Sequence, residues 1–389
     1  MNARERYIET LTFGTPDRVP FEPGAGREST LRRWRAEGLP EDRRPTEFAL
    51  ELLGIEMPPA QSPRIDPGID FRLRPTFEEK ILEHRDGHYV VQDWKGNICE
   101  ISDQYDTRHL RHAIDFVTRR WIKCPVETRD DWAAIRTRYD AADPGRFPAD
   151  FDARCAALKD RDGPLTIAVS GPFWQLREWC GFEGLCTLMA DDPDFVAEMA
   201  AFWTDFVSQM LDRILPRLVP DGFFISEDMA YKGASMISMP MVRAFCVPGW
   251  TAWSRKVRAA GCPIVDMDSD GFVGELIPLW IESGINVCDP IEVAAHCDIV
   301  DFRRRFGRRM AYRQGIDKRC IAKGGEALRA EIRRIEPVVR DGGYIPGCDH
   351  GIPADVSWEN FVEYCRRLAE ITGWRQAARR QTAKRTSRS

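Results

Sequence analysis

Three carboxylates lie within five residues of one apolar stretch. Pro263-Ile-Val-Asp reads as a short strand, and Asp266, Asp268 and Asp270 follow one another at alternate positions before Gly271. Because side chains alternate across a strand, Asp266 and Asp268 share one face. Two converging carboxylates can bind a divalent metal, transfer protons when one pKa is raised, or orient a cationic substrate. We expect a functional site here.

The same pattern of an apolar run followed by polar residues recurs along the chain. Its polar groups are Glu227-Asp228 with Tyr231 and Lys232, Asp289 with Glu292, and Cys348-Asp349-His350. Each also has a structural interpretation, since Asp at a strand end often caps the next helix and Asp-Gly often forms a turn. Repetition on several strand ends favours a site. We predict the following catalytic residues: Asp268, Asp270, His350, Glu227 and Asp228.

Short strands alternating with helical patterns predict an α/β fold, specifically a (β/α)8 TIM barrel whose site lies at the carboxyl ends of its strands. The regular part has predicted strands at 165–170, 223–227, 263–268, 285–289, 310–314 and 344–345. Arg18–Gly24 is predicted as the first strand, and one more is expected within 50–75, which makes eight. Residues 2–12 form a predicted helix, and Phe71–Pro75 and 88–99 are predicted strands, the latter a hairpin with a Lys-Gly-Asn turn.

A single domain is predicted over 1–374. Residues 40–163 are its irregular part, interpreted as an insertion that forms a wall or lid for the site. Residues 375–389 are rich in Arg, Lys, Gln, Thr and Ser without apolar partners, which predicts a disordered basic tail.

Composition narrows the class of protein. The chain has 389 residues, 43% of them hydrophobic and 30% charged, with a net charge of −5. This mild acidity predicts neither nucleic-acid nor membrane-surface binding, and no apolar run approaches the roughly 20 residues of a membrane span. With no apolar segment at the N-terminus, we expect a cytoplasmic protein. The 12 cysteines form no Cys-x-x-Cys pair, so most are expected to be buried thiols.

Several motifs together resemble the uroporphyrinogen decarboxylase superfamily, which also contains cobalamin-dependent methyltransferases. They are Pro16-Asp-Arg-Val-Pro, Gly171-Pro-Phe, the stretch from Glu227 to Ser238, Gly315-Ile-Asp-Lys, and His350-Gly-Ile-Pro running on to Glu359-Asn. The resemblance covers most of the chain and implies a barrel. We predict these substrate-binding residues: Arg27, Tyr231, Lys232, Tyr312 and Asp317.

Departures from that pattern bear on the reaction. Decarboxylases of the family open with Arg-Gln-Ala-Gly-Arg-Tyr, whereas this chain keeps Arg27 but has Pro23 in place of the first arginine, and no Phe-Ser-Asp segment is evident. An eight-carboxylate tetrapyrrole needs cationic partners, so decarboxylation of uroporphyrinogen is disfavoured.

The zinc methyltransferases of the superfamily use a His-x-Cys pair and a distant Cys as ligands. This chain has Asp268-Ser-Asp270 at the matching place, with Cys348 near the position of the distant Cys. Oxygen ligands make a harder site, less suited to thiol activation. We predict Zn²⁺ or another divalent metal, with these ligands: Asp268, Asp270, Cys348 and His350.

The leading hypothesis is methyl transfer between a small methylated substrate, such as an ether or an amine, and a corrinoid protein. Any cobalamin is expected on that separate protein, because the chain lacks an Asp-x-His-x-x-Gly signature. The alternatives are decarboxylation of the uroporphyrinogen type and a non-catalytic ligand-binding barrel. A homodimer is left open.

Overall fold

The computed structural model describes residues 1–57, 65–104 and 119–375. Its first sheet is antiparallel, in the order β1 (Lys80–Arg85), β2 (His88–Gln92), β3 (Ile98–Ser102) and β4 (Arg120–Lys123). The predicted hairpin is confirmed, because β2 and β3 pair antiparallel. In its turn the Asp93 side chain accepts hydrogen bonds from the backbone N–H groups of Lys95 and Asn97. The strand predicted over Phe71–Pro75 is wrong. There the backbone N–H of Arg74 donates to the Arg138 carbonyl rather than to a sheet.

The second sheet is parallel and carries the six regular strands predicted from the sequence. They lie side by side in chain order: β5 (Thr166–Ser170), β6 (Gly222–Ser226), β7 (Ile264–Asp268), β8 (Val287–Asp289), β9 (Ala311–Arg313) and β10 (Tyr344–Ile345). Parallel neighbours joined by helices are the repeating unit of α/β folds. The predicted α/β class is therefore confirmed.

Helices precede, separate and follow these strands. In chain order they are Ala3–Leu11, Glu28–Ala36, Pro45–Leu52, Arg129–Ile135, Phe151–Ala157, Pro172–Cys180, Phe182–Asp191, Pro193–Ile214, Met239–Phe245, Val247–Ala259, Ile277–Glu282, Ile299–Phe306, Lys318–Lys323, Gly325–Asp341 and Trp358–Ile371. Short 3-10 helices occupy Arg136–Arg138, Pro144–Arg146, Val293–Ala295 and Gly307–Arg309. None of the helices in the described ranges has the length and apolar character that a membrane crossing requires.

The closed eight-stranded barrel is not seen within the described residues. The predicted first strand, Arg18–Gly24, is irregular, because Pro20 and Pro23 have no N–H to donate to a ladder. This segment still lies beside β10, where Cys348 N–H donates to the Pro23 carbonyl and Gly26 forms one parallel bridge with Ile352. Part of the region predicted to hold the eighth strand, 58–64, and the tail beyond Arg375 lie outside the described residues.

The alternation of side chains along each parallel strand gives the sheet two different faces. One face packs against the helices, as the burial of Ile167, Val169 and Tyr312 shows. The other face points away from those helices, and we call the space beside it the interior. A lower apolar layer on this face packs on the first helix; its residues are Ile264, Val287, Ala311 and Ile345. Above that layer the interior becomes polar.

Candidate active site

Four polar residues lie in one row at the carboxyl ends of neighbouring strands. Ser170 pairs in register with Ser226, Ser226 with Asp268, and Asp268 with Asp289. Parallel strands are about 4.8 Å apart, so these residues are close neighbours on the interior face. Arg313 ends the next strand, β9. The row places hydroxyl, carboxylate and guanidinium groups together at the end of the sheet where barrel enzymes hold their sites.

Arg313 binds three carboxylates in the interior. Its Nη1 donates to Asp266 Oδ2 at 3.1 Å and to Asp289 Oδ2 at 2.9 Å, and its Nη2 donates to Glu22 Oε2 at 2.9 Å. Burial raises the pKa of both Asp266 and Asp289, although Arg313 opposes the shift. Although burial lowers the pKa of Arg313, the three acids hold it well above its ordinary value. One guanidinium therefore faces more negative charge than it can neutralise.

Asp268 lies in the same row, and no guanidinium group of the described residues binds it. Ser226 Oγ donates to its Oδ2 at 2.9 Å. Burial, followed by the negative charge of Asp289 and Asp270, raises the pKa of Asp268 to about 7. Its backbone carbonyl accepts from the N–H groups of Glu227 and Asp228, which fixes the neighbouring loop. Asp268 is thus a partly exposed carboxyl group that can hold or release a proton near neutral pH.

His350 pairs with Asp270 above this row. The Gly351 N–H donates to His350 Nδ1 at 2.7 Å, so that nitrogen accepts and the proton is assigned to Nε2. Nε2 lies 3.0 Å from Asp270 Oδ2, and this hydrogen bond raises the pKa of His350. Arg27 Nη2 is 3.4 Å from Nδ1. The structure thus brings together three predicted residues from distant parts of the chain.

Asp228 lies on the β6 side of the same region. Arg177 Nη2 donates to its Oδ2 at 3.2 Å, while burial raises the pKa of Asp228 and the negative charge of Asp270 adds to the shift. Asp228 has a φ of 36°, a left-handed conformation that is uncommon outside glycine. Tyr231 and Lys232 follow on an exposed loop, where the Tyr231 carbonyl accepts from Phe272 N–H.

Glu227 is buried in the protein and caps a helix. Its Oε2 accepts from Trp174 N–H at 2.9 Å at the start of the helix Pro172–Cys180, and its Oε1 accepts from Trp250 Nε1 at 2.7 Å. Burial raises the pKa of Glu227 to about 7. The carboxyl group is fully buried and does not reach the exposed part of the predicted site. These contacts correspond to the structural alternative for strand-end acids.

Three further predicted residues are buried or cap a helix. Tyr312 is buried on the helix-facing side of β9 and packs near Phe302, because it alternates with the inward-facing Arg313. Asp317 caps the helix Lys318–Lys323 by accepting a hydrogen bond from Arg319 N–H. Burial acts to raise the pKa of Asp317, but the hydrogen bonds from Arg319 outweigh it and lower that pKa. Cys348 is fully buried, and burial raises the pKa of its thiol to about 12.

The predicted metal ligands do not form one donor set. Among the described residues, no three His, Cys, Asp or Glu side chains are placed to hold a metal ion. Asp270 and His350 bind each other, and Cys348 is a buried thiol whose raised pKa opposes the thiolate that metal binding needs. The arrangement of these described residues therefore does not fit the predicted site for Zn²⁺ or another divalent metal.

Two residues of this interior were missed in the sequence. Arg313 ends the strand next to the predicted Tyr312, and the inward residue of a strand can be chosen from its alternation with apolar neighbours. Glu22 lies in Pro20-Phe-Glu-Pro23, where two prolines obscure any strand pattern. The alignment of Arg313 with the other polar strand ends was the available signal.

An aromatic pocket lies beside the β5 end of the row. It has a volume of about 120 Å³ and is lined by Ser170, Trp174 and Trp179 from one side and by Trp94 and Lys95 from the hairpin turn on the other. Trp94 and Lys95 of the irregular region 40–163 thus line a pocket next to the polar row.

Comparisons with known proteins agree with this architecture. No family model matches the chain. Uroporphyrinogen decarboxylases from Pseudomonas fluorescens and Alcanivorax borkumensis are each 30% identical to it over 96 residues. The matched segment is 24% of this chain and spans only 27% of the length of those relatives.

A solved structure extends the likeness to most of the fold. A methyltransferase from Methanosarcina mazei superimposes with a TM-score of 0.55, covering 95% of this chain and 99% of that one, at 14% sequence identity. At that identity the match shows a shared fold. The sequence similarity and the shared fold together confirm the resemblance inferred from the motifs.

Proposed function

From this resemblance to the uroporphyrinogen decarboxylase superfamily, we propose that the chain is an enzyme that transfers a methyl group from a small methylated substrate to a separate corrinoid protein. The main observation that supports this proposal is the position of Asp268. It is partly exposed in the polar row, with a serine hydroxyl as its hydrogen-bond partner, whereas Arg313 binds Asp266 and Asp289.

The proposed chemistry needs an acid at this place. The bond between the methyl carbon and a heteroatom breaks, its electron pair stays on the heteroatom, and the heteroatom takes the proton of Asp268. The corrinoid of the partner protein supplies the acceptor for the methyl group. A carboxyl group with a pKa near 7 is protonated often enough at neutral pH to donate that proton. Asp270 and His350 would orient the substrate above it.

The excess of acids in the interior also disfavours a polyanionic substrate. Asp266, Asp289 and Glu22 already surround Arg313. A tetrapyrrole with eight carboxylates would need further cations near this row.

Methyl transfer from methoxy and methylamine donors to free cob(I)alamin tests the proposal, with wild type compared with Asp268→Asn. We expect the variant to lose about 10²–10⁴-fold in rate, the usual contribution of general acid catalysis. Asp42→Asn is the matched control, because Asp42 is exposed and distant in sequence from the row. An Asp268→Asn rate equal to that of the control would remove Asp268 from the mechanism.

Decarboxylation is the second candidate, favoured by the 96-residue similarity to uroporphyrinogen decarboxylases. Release of coproporphyrinogen from uroporphyrinogen, lost in Arg27→Ala, would support it. Tight binding of a methylated compound with no product in either assay, unchanged in Asp268→Asn, would instead indicate a ligand-binding protein.

A further inference from the structure

A second cavity lies at the opposite end of the parallel sheet from the candidate site. It has a volume of about 390 Å³ and adjoins Asp221, just before β6, and Pro263, just before β7. Both residues precede their strands, whereas Asp268 ends β7. Cavities of this size are in the range that holds small organic ligands.

Cationic side chains outnumber acidic ones in the lining of this cavity. Four positive residues face one carboxylate, which gives a formal charge of +3 in a chain whose net charge is −5: Arg4, Lys159, Arg161 and Arg217 against Asp221. A concave surface with one sign of charge concentrates counter-ions. The charge pattern therefore favours an anionic ligand.

Asp221 anchors two of these four cations, Arg4 and Arg161. Its side chain is 3% exposed and accepts from Arg4 Nε at 2.8 Å and from Arg161 Nε at 2.9 Å. Arg161 also donates to the Leu158 and Val219 carbonyls, so its guanidinium is fixed as part of the wall. One buried carboxylate thus holds two guanidinium groups in place and leaves a positive excess.

Other donors remain available to a ligand. Within the described parts of the chain, the Nη atoms of Arg4 and the Nζ of Lys159 have no hydrogen-bond partner, and neither has Nη2 of Arg217. The ion pair of Arg217 is with Asp152, whose side chain is 80% exposed, so solvent screens that pair strongly.

The rest of the lining is apolar and includes Ile8, Leu218, Val219 and Pro263. We propose that this cavity binds a small organic phosphate, with the phosphate group on Arg4, Lys159 and Arg217 and the organic part against the apolar wall. Guanidinium and ammonium groups suit phosphate oxygens, and a dianion matches the positive excess. Because the cavity is at the opposite end of the strands from Asp268, its ligand binds there without taking part in the chemistry at Asp268.

Calorimetric titration of the full chain tests this site. The probes are adenosine 5′-monophosphate and inorganic phosphate, with adenosine as the uncharged comparison. We expect the monophosphate to bind, adenosine to bind at least about tenfold more weakly, and affinity to fall as salt is raised. Binding of inorganic phosphate as well would support the assignment of the phosphate group.

Variants locate the binding. Lys159→Ala with Arg217→Ala changes two exposed side chains, and we expect about tenfold or greater loss of affinity with unchanged thermal unfolding of the free protein. Arg304→Ala with Lys323→Ala is the control, since it removes the same charges from other exposed positions. Equal affinity in the two double variants, or binding of adenosine as tight as that of the monophosphate, would overturn the proposal. Methyl transfer to cob(I)alamin is a separate measurement, so either proposal can fail alone.

Discussion

At the scale of single residues, Arg313 holds the interior together electrostatically. It contacts Asp266, Asp289 and Glu22, and the first two are almost completely buried. We expect Arg313→Met to lower the free energy of unfolding by about 3–5 kcal/mol, because it leaves buried carboxylates unpaired. Urea denaturation at pH 8 measures the change, since the acids are then most ionised.

Adding Asp266→Asn and Asp289→Asn to Arg313→Met separates lost charge pairing from lost packing. If unpaired charge is the cause, the triple variant recovers most of the lost stability at pH 8. A loss below about 1 kcal/mol in Arg313→Met would show that this cluster contributes little.

The raised pKa of Asp268 predicts a pH-dependent stability. Folding raises this carboxyl pKa from 3.8 to about 7, so ionisation is disfavoured in the folded state. Stability associated with protonated Asp268 is complete below pH 4 and is lost as the pH rises to about 7. Asp268→Asn removes this penalty. The variant should therefore gain stability relative to wild type between pH 4 and 7, by roughly 2–4 kcal/mol.

Thermal and urea unfolding of both proteins from pH 4 to 8 checks this expectation, with Asp42→Asn following wild type throughout. A difference between wild type and Asp268→Asn that does not change with pH would mean that folding leaves the Asp268 pKa unaltered. The same titration predicts that the methyl-transfer rate falls as pH rises through about 7, because the acid form is lost.

At the scale of elements, Glu227 joins two helices to the end of β6. It accepts from Trp174 N–H and from Trp250 Nε1, and a Cβ on Gly171 would meet its carboxyl carbon at 2.2 Å. We expect Glu227→Ala to cost about 2–4 kcal/mol, since it removes a helix cap and leaves a buried indole N–H without a partner. Urea unfolding measures this cost.

Activity of the folded Glu227→Ala protein distinguishes a cap from a catalytic acid. A structural role predicts that the rate per folded molecule changes less than tenfold, and that Glu183→Ala, an exposed acid near a neighbouring helix start, leaves stability almost unchanged. A decrease of about 100-fold or more in the rate per folded molecule would indicate that Glu227 is a catalytic residue, as the sequence predicted.

At the scale of the whole molecule, the sequence predicts the parallel sheet well because its strands are short apolar runs with polar ends. The regular region yields all six strands of this sheet, and the clustering of Asp268, Asp270 and His350 at one end follows from their parallel order. The sequence did not predict which polar side chains would be buried or which hydrogen-bond partners they would have. Glu227 and Asp317 look like site residues in sequence, and tertiary packing makes both of them helix caps.

The first helix, Ala3–Leu11, covers the amino end of the sheet and so supports the interior from below. Tyr7 and Leu11 pack on the lower layer formed by Ile264, Val287, Ala311 and Ile345, and the Arg313 guanidinium lies 6.0 Å from the Tyr7 ring centre. We expect Leu11→Ala to lower the free energy of unfolding by about 2–5 kcal/mol, because Leu11 is 1% exposed and its removal leaves a cavity. Urea denaturation provides the measurement.

Leu52→Ala is the matched control, since Leu52 is 55% exposed and its truncation should change stability by less than about 0.5 kcal/mol. Amide hydrogen exchange adds a local test. If the helix closes the amino end of the sheet, Leu11→Ala should speed exchange at Ala311 and Ile345 more than at Val91 in the antiparallel hairpin. Equal acceleration in both sheets would indicate global destabilisation, and a Leu11→Ala cost as small as that of Leu52→Ala would show that the helix does not support the interior.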